Sequence, residues 1–135
     1  MTAPAAKGLL DTSVFIALES DRPIDAGRLP DQSVVCPVTI AELQAGVLAA
    51  GDVNTRARRL ATLESIADVE VLVIDAHVAA EWARLRVHLA EAGRRVNVND
   101  LWIAATAAAY GLPIVTQDDD FEPLDGVGGL MVLRV

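Results

Sequence analysis

The feature that most constrains this chain is the alternation of short aliphatic runs with longer stretches of helical spacing. The runs at residues 8–10, 33–37, 69–74, 113–116 and 130–133 read as strands. The run at 69–74 is nearly continuous in apolar, mostly β-branched residues, as in a strand covered on both faces. Residues 13–18, 39–50, 53–67, 76–92 and 99–110 carry apolar residues at helical spacing. Strands that alternate with helices build a mostly parallel sheet with helices on both faces, so the expected fold is a three-layer α/β domain spanning residues 1–135.

Punctuation supports these bounds. Thr12 or Ser13 is available to cap the first helix, and residues 21–31, with two prolines and a glycine, read as a loop holding at most one short helical turn. Gly51-Asp52 separates two helices that should pair. The 76–92 helix should bury Val78, Trp82, Leu85 and Leu89 and end at Gly93. The 99–110 helix should start at Asn99 or Asp100 and end at Gly111.

Parallel sheets bind ligands outside the carboxyl ends of their strands, where the winding direction reverses. Asp11 and Asp118 follow strands there, and Glu42 and Asp100 fall in first turns of helices that point toward the same rim. Each acid also has a purely structural reading. Thr39-Ile40-Ala41-Glu42 spells a capping box, Asp100 complements a helix macrodipole, Asp11 suits a turn, and Asp118-Asp119-Asp120 suits a solvated loop. Their joint placement beside apolar strands favours a shared site, because chance acids would scatter over all faces. Four like charges drawn together repel, and a hard divalent cation such as Mg²⁺ or Mn²⁺ relieves that repulsion with an oxygen-rich ligand set.

The bulk numbers narrow the classes. With 135 residues, 53% hydrophobic and 22% charged, the chain is long enough to bury one core and too apolar to be disordered. A net charge of −8 argues against a loose, nonspecific nucleic-acid binder. It leaves room for a nucleic-acid enzyme, because bound metal reverses the local field and the arginines are grouped, at Arg56, Arg58 and Arg59 and at Arg84, Arg86, Arg94 and Arg95. Cys36 is the only cysteine, so no internal disulfide or cysteine zinc site forms, as suits a reducing cytoplasm. The first residues lack the pattern of a signal peptide, and the apolar stretch at 101–115 is too short and too interrupted to cross a membrane.

Three stretches that carry four motifs, LLDTSVFIAL, VTIAELQAGV and NDLWIAATAAAYGLPIVTQDDDF, together with their order and spacing, resemble the PIN domain of VapC-type toxins over nearly the whole chain. The resemblance implies a metal-dependent endoribonuclease, the toxin of a toxin-antitoxin pair, blocked by a VapB-type antitoxin and forming a homodimer. It implies RNA products with a 5′-phosphate and a 3′-hydroxyl. Residue by residue, the family's acids match Asp11, Glu42, Asp100 and Asp118; Thr12 and Thr116 match its hydroxyl positions, and Asp120 its Asp-Phe position. Asp11 and Asp100 are then expected as direct metal ligands, Asp118 as direct or water-mediated, and Glu42 as orienting or deprotonating the attacking water.

Arg94 and Arg95, just before the Asp100 helix, are the candidates for gripping RNA phosphate. His77 and His88 lie three turns apart on one helix and make a poor acid-base pair. Trp82 and Trp102 at apolar helical positions suit a core or interface better than a base platform. A phosphorelay receiver would need a late lysine, and Lys7 is the only lysine; the haloacid-dehalogenase Asp-x-Asp motif and Gly-rich phosphate loops are missing. The alternative from another class is a noncatalytic interaction module whose acids hold a structural cation.

Overall fold

The computed structural model describes residues 5–135, so the reading of residues 1–4 lies outside the described residues. Five strands, β1 (Lys7–Leu10), β2 (Gln32–Val35), β3 (Glu70–Val71), β4 (Ile114–Thr116) and β5 (Val132–Arg134), form one sheet in the order β3-β2-β1-β4-β5. Every pairing is parallel. Leu9 sits opposite both Val34 of β2 and Ile114 of β4, which places β1 at the centre.

Side chains alternate across a strand, and here both faces are apolar. Leu9, Val34 and Ile114 join one buried cluster with α4 (Ala76–Ala92) and α5 (Val98–Tyr110), through Val78, Leu85, Leu89, Leu101 and Ile103. Leu10, Val35 and Val115 join the other with α1 (Thr12–Glu19), α2 (Pro37–Leu48) and α3 (Val53–Ser65), through Val14, Phe15, Leu43 and the partly buried Leu63. The result is the three-layer α/β arrangement expected. Truncating a residue such as Leu9 to Ala would cost about 2–5 kcal/mol.

The route of the chain fixes where a site forms. From β1 the chain winds through α1 to β2 on one side, and it later crosses by α4 and α5 to β4 on the other side. The reversal therefore lies at the carboxyl ends of β1 and β4, the crevice where open parallel sheets take ligands. Gly93, in a left-handed conformation at φ 65°, ends α4 and frees the chain to turn into α5.

Several local expectations are revised. Asp11, not Thr12 or Ser13, caps α1. The second strand stops at Val35, because Cys36 caps α2 and Pro37 occupies its first turn, where a missing N–H costs nothing. The run at 69–74 pairs only through Glu70 and Val71, since β3 is the sheet edge and both residues are exposed. The last strand starts two residues later and ends one residue later than the run at 130–133 implied, and α5 begins at Val98 behind an Asn97 cap. Trp82 is half-buried, stacked on Trp102 with centroids 5.2 Å apart, and its Nε1 is the one buried side-chain polar atom among the described residues without a partner. The expected pairing of α2 with α3 is present, and Cys36 is a buried free thiol. No helix among the described residues is long and apolar enough to cross a membrane.

Candidate active site

Asp11 is the first residue past β1, and its amide is tied to Val115 O of β4 at 2.8 Å, so the two central strands together set its position. Asp118 lies two residues beyond β4. Asp100 is the third residue of α5, whose start is fixed by the Asn97 side chain accepting from Asn99 N at 2.9 Å. Glu42 projects from the second turn of α2, since that helix opens at Pro37. These four acids and Asp120 line a single cleft of about 280 Å³, together with Thr12, Ser13, Asn97 and Asn99. No lysine or arginine lines it.

Hydroxyl groups hold the carboxylates. Oδ2 of Asp11, a residue only 4% exposed, accepts from Ser13 Oγ at 2.7 Å and Thr116 Oγ1 at 3.0 Å. The Ser13 amide is a weaker donor to the same oxygen at 3.4 Å. No described donor reaches Oδ1, which is left for the cleft. Thr116 Oγ1 also lies 3.2 Å from Asp118 Oδ1, so one hydroxyl links the acids after β1 and β4. Thr12 Oγ1 donates to Glu42 Oε1 at 2.7 Å, with Thr39 Oγ1 at 3.1 Å. This geometry removes the capping-box reading of Glu42: Thr39 lies inside the helix, and the Glu42 carboxylate turns to Thr12 instead.

The electrostatics follow from burial and crowding. Asp100 is pushed up to about 7, first by burial and then by the charges of Asp11, Asp120, Glu42 and Asp118. Burial, with the Asp118 charge, also raises Asp11 against the lowering effect of its hydroxyl donors. Asp120 is raised chiefly by Asp118. Among the described residues no three acid, histidine or cysteine side chains converge closely enough to ligate one ion directly as they stand. The donor set nevertheless suits Mg²⁺ or Mn²⁺: it is all oxygen, short of positive charge, and roomy enough for an ion that keeps several waters.

The cleft thus unites Asp11, Glu42, Asp100, Asp118 and Asp120, with Thr12 and Thr116 bonded to the acids as placed from the sequence. Arg94 and Arg95 fall outside it, in a neighbouring cleft. Ser13 was missed as a site residue, although a third polar residue in Asp11-Thr12-Ser13 was the available signal. Asn97 and Asn99 were missed as lining residues, being read only as part of the approach to a helix.

The family profile of the PIN domain matches residues 8–127. The chain is 59% identical to Ribonuclease VapC5 of Mycobacterium tuberculosis over 134 residues, covering 99% of this chain and 98% of that protein. It is 43% identical to Ribonuclease VapC4 of the same organism over 122 residues, covering 90% and 93%. Among solved structures, a member of the VapBC family of toxin-antitoxin systems, VapBC-5 from Mycobacterium tuberculosis, superposes with a TM-score of 0.91 at 56% identity, covering 96% of this chain and 99% of that one. VapBC-1 from nontypeable Haemophilus influenzae gives 0.77 at 26% identity, with 95% and 97% covered. With a parallel sheet whose central strands deliver acids to one cleft, and with likeness to these proteins along almost its full length, the chain belongs to the PIN domain family, in its VapC group.

Proposed function

We propose that this protein is a Mg²⁺- or Mn²⁺-dependent endoribonuclease, the toxin of a type II toxin-antitoxin pair, held in check by a VapB-type antitoxin and acting as a homodimer. The observation that carries the reading is the cleft itself: five carboxylates from four chain segments, with no cation among the lining residues. The likeness to proteins named Ribonuclease VapC and to VapBC toxin-antitoxin structures supports RNA as substrate and an antitoxin as partner.

Asp11 would hold the ion through Oδ1, the oxygen its hydroxyl donors leave free, with Asp100 and Asp118 as the other ligands, direct or through water. When bound, the ion supplies charge neutralisation at the phosphoryl oxygens and an acidified water. Ser13 and Thr116 keep the Asp11 carboxylate from rotating. Glu42, oriented by Thr12 at Oε1, aligns the attacking water and takes its proton at Oε2. Thr116 couples Asp118 to Asp11, and Asp120 adds negative charge at the rim.

The test is cleavage of total cellular RNA by the purified, antitoxin-free protein, with and without Mg²⁺ or Mn²⁺, and by Asp11→Asn. Cutting that needs the metal and disappears in Asp11→Asn at unchanged folding supports the reading. Full metal-dependent activity in Asp11→Asn overturns the residue assignment, and no cutting under any condition favours a noncatalytic module.

A further inference from the structure

A second cleft, of about 510 Å³, opens beside the carboxylates and has the opposite character. Arg86 enters it from α4, and Arg94 and Arg95 enter it from the connector that follows Gly93. Trp82, Val96 and Val98 supply apolar walls, and Val98 is 62% exposed. No acid lines it.

Two further observations give the cleft direction. Among the described residues, Arg58, Arg84 and Arg134 pair with carboxylates; of the seven arginines that stand in no ion pair, Arg86, Arg94 and Arg95 are the three that share this cleft. In a chain of net charge −8, three unpaired guanidinium groups in one concavity hold a local positive field with no internal use. The segment from Arg94 to Asp100 is also a shared wall: Val96 and Val98 face the arginine cleft, while Asn97, Asn99 and Asp100 face the carboxylate cleft. The two clefts therefore share one segment of chain as their common wall.

We infer that Arg86, Arg94 and Arg95 form a substrate subsite that grips the phosphates of single-stranded RNA flanking the bond to be cut, with Trp82, Val96 and Val98 against a nucleobase. This rests on the proposed ribonuclease reading and deepens it. Guanidinium groups bind phosphate bidentately, and a strand carries phosphates in succession to meet three arginines in one cleft. An isolated acidic side chain would engage one of them. The subsite also answers a difficulty of the acidic cleft, which by itself repels the polyanion it is to cut; a strand anchored across the wall is held near Asp100 despite that repulsion. The low aromatic content leaves phosphate contacts, not a stacking platform, as the main source of affinity.

The experiment compares wild type, the triple variant R86Q/R94Q/R95Q, the triple lysine variant and Arg28→Gln, an exposed arginine elsewhere, with folding checked by circular dichroism. Binding of a fluorescent single-stranded RNA oligonucleotide is measured in EDTA across a salt series, which needs no catalysis. Cleavage is measured separately with Mg²⁺. Each phosphate contact on a single strand contributes about 0.7 to the log-log salt slope, so the glutamine triple should lose about 2 in slope. It should show KM raised at least about tenfold with kcat little changed, the lysine triple should recover part of the affinity, and Arg28→Gln should match wild type. Unchanged RNA affinity and KM in the glutamine triple overturn the subsite while leaving metal-dependent cleavage standing. A triple variant that keeps RNA affinity and loses antitoxin affinity assigns the cleft to an acidic peptide, and the inference fails. Should wild type bind RNA in EDTA through these arginines and never cut it, the ribonuclease reading falls and the anion site stands.

Discussion

Replacing Asp100 with Asn should make the metal-free protein more stable at pH 8, even though it removes a carboxylate assigned to the site. The folded chain holds Asp100 half-buried among Asp11, Asp120, Glu42 and Asp118, which pushes it up to about 7 from an ordinary value of 3.8. A raised acid means the folded state binds the proton more tightly than the unfolded one, so stability falls as pH climbs from about 4 to about 7. At about 1.4 kcal/mol per pKa unit, the rise corresponds to a ceiling of roughly 4 kcal/mol. Asp100 is only partly shielded from water and its neighbours can move apart, so screening lowers the expected effect to about 1–2 kcal/mol. For a chain of this size that is about 3–8 °C in Tm. The assay is thermal unfolding of both proteins in EDTA at pH 5 and pH 8. Asp100→Asn should melt higher than wild type at pH 8 and by a clearly smaller margin at pH 5, where Asp100 is protonated in the folded protein but already ionised in the unfolded chain. Adding Mg²⁺ at pH 8 should raise wild type more than the variant, because the ion stabilises only a state that binds it. A variant that melts lower at pH 8, or whose advantage is the same at both pH values, would refute the charge-crowding argument.

The other expectations concern the scaffold around the acids. Ser13→Ala removes the 2.7 Å donor to Asp11, and steady-state kinetics should show a loss in kcat greater than any change in KM, with about 1 kcal/mol of stability lost in urea unfolding. Glu42→Gln keeps the shape and an acceptor for Thr12 while removing the base, so cleavage should fall by about 10²–10⁴-fold while Mn²⁺ binding by calorimetry stays near wild type. Gly8→Ala places a Cβ 3.0 Å from Val115 Cγ2 and 3.1 Å from the Pro30 ring; strand and proline yield little, so unfolding should show about 1–3 kcal/mol of destabilisation with no change in metal affinity.

The fold was legible where local signals agreed. The 76–92 helix was placed to the residue because an acidic cap, a periodic apolar stripe and a left-handed glycine coincide there. β3 was overestimated because a β-branched run looks the same at a sheet edge as in a centre, and strand order depends on crossovers that no short window contains. Pro37 reads equally as a strand end and as a first helical residue, and choosing the former made a capping box of Thr39 and Glu42 that the chain does not form. The acids share one cleft because Asp11 and Asp118 leave the carboxyl ends of central parallel strands and the starts of α2 and α5 face the same rim, with Glu42 one turn further into its helix than its sequence suggested. Their hydroxyl tethers were found where the family pattern marks them, at Thr12 and Thr116. Ser13 escaped because nothing local shows that it reaches Thr116, 103 positions later.

The central claim is that distant carboxylates hold one ion in common. Its most direct test is a crystal soaked in Mn²⁺, a stand-in for Mg²⁺ with usable anomalous scattering. The account predicts an anomalous peak about 2.1 Å from Asp11 Oδ1, with Asp100 or Asp118 completing the set directly or through water, while Asp11 Oδ2 stays bonded to Ser13 and Thr116. A cleft without a peak at saturating Mn²⁺, or a peak bound elsewhere on the chain, would contradict it.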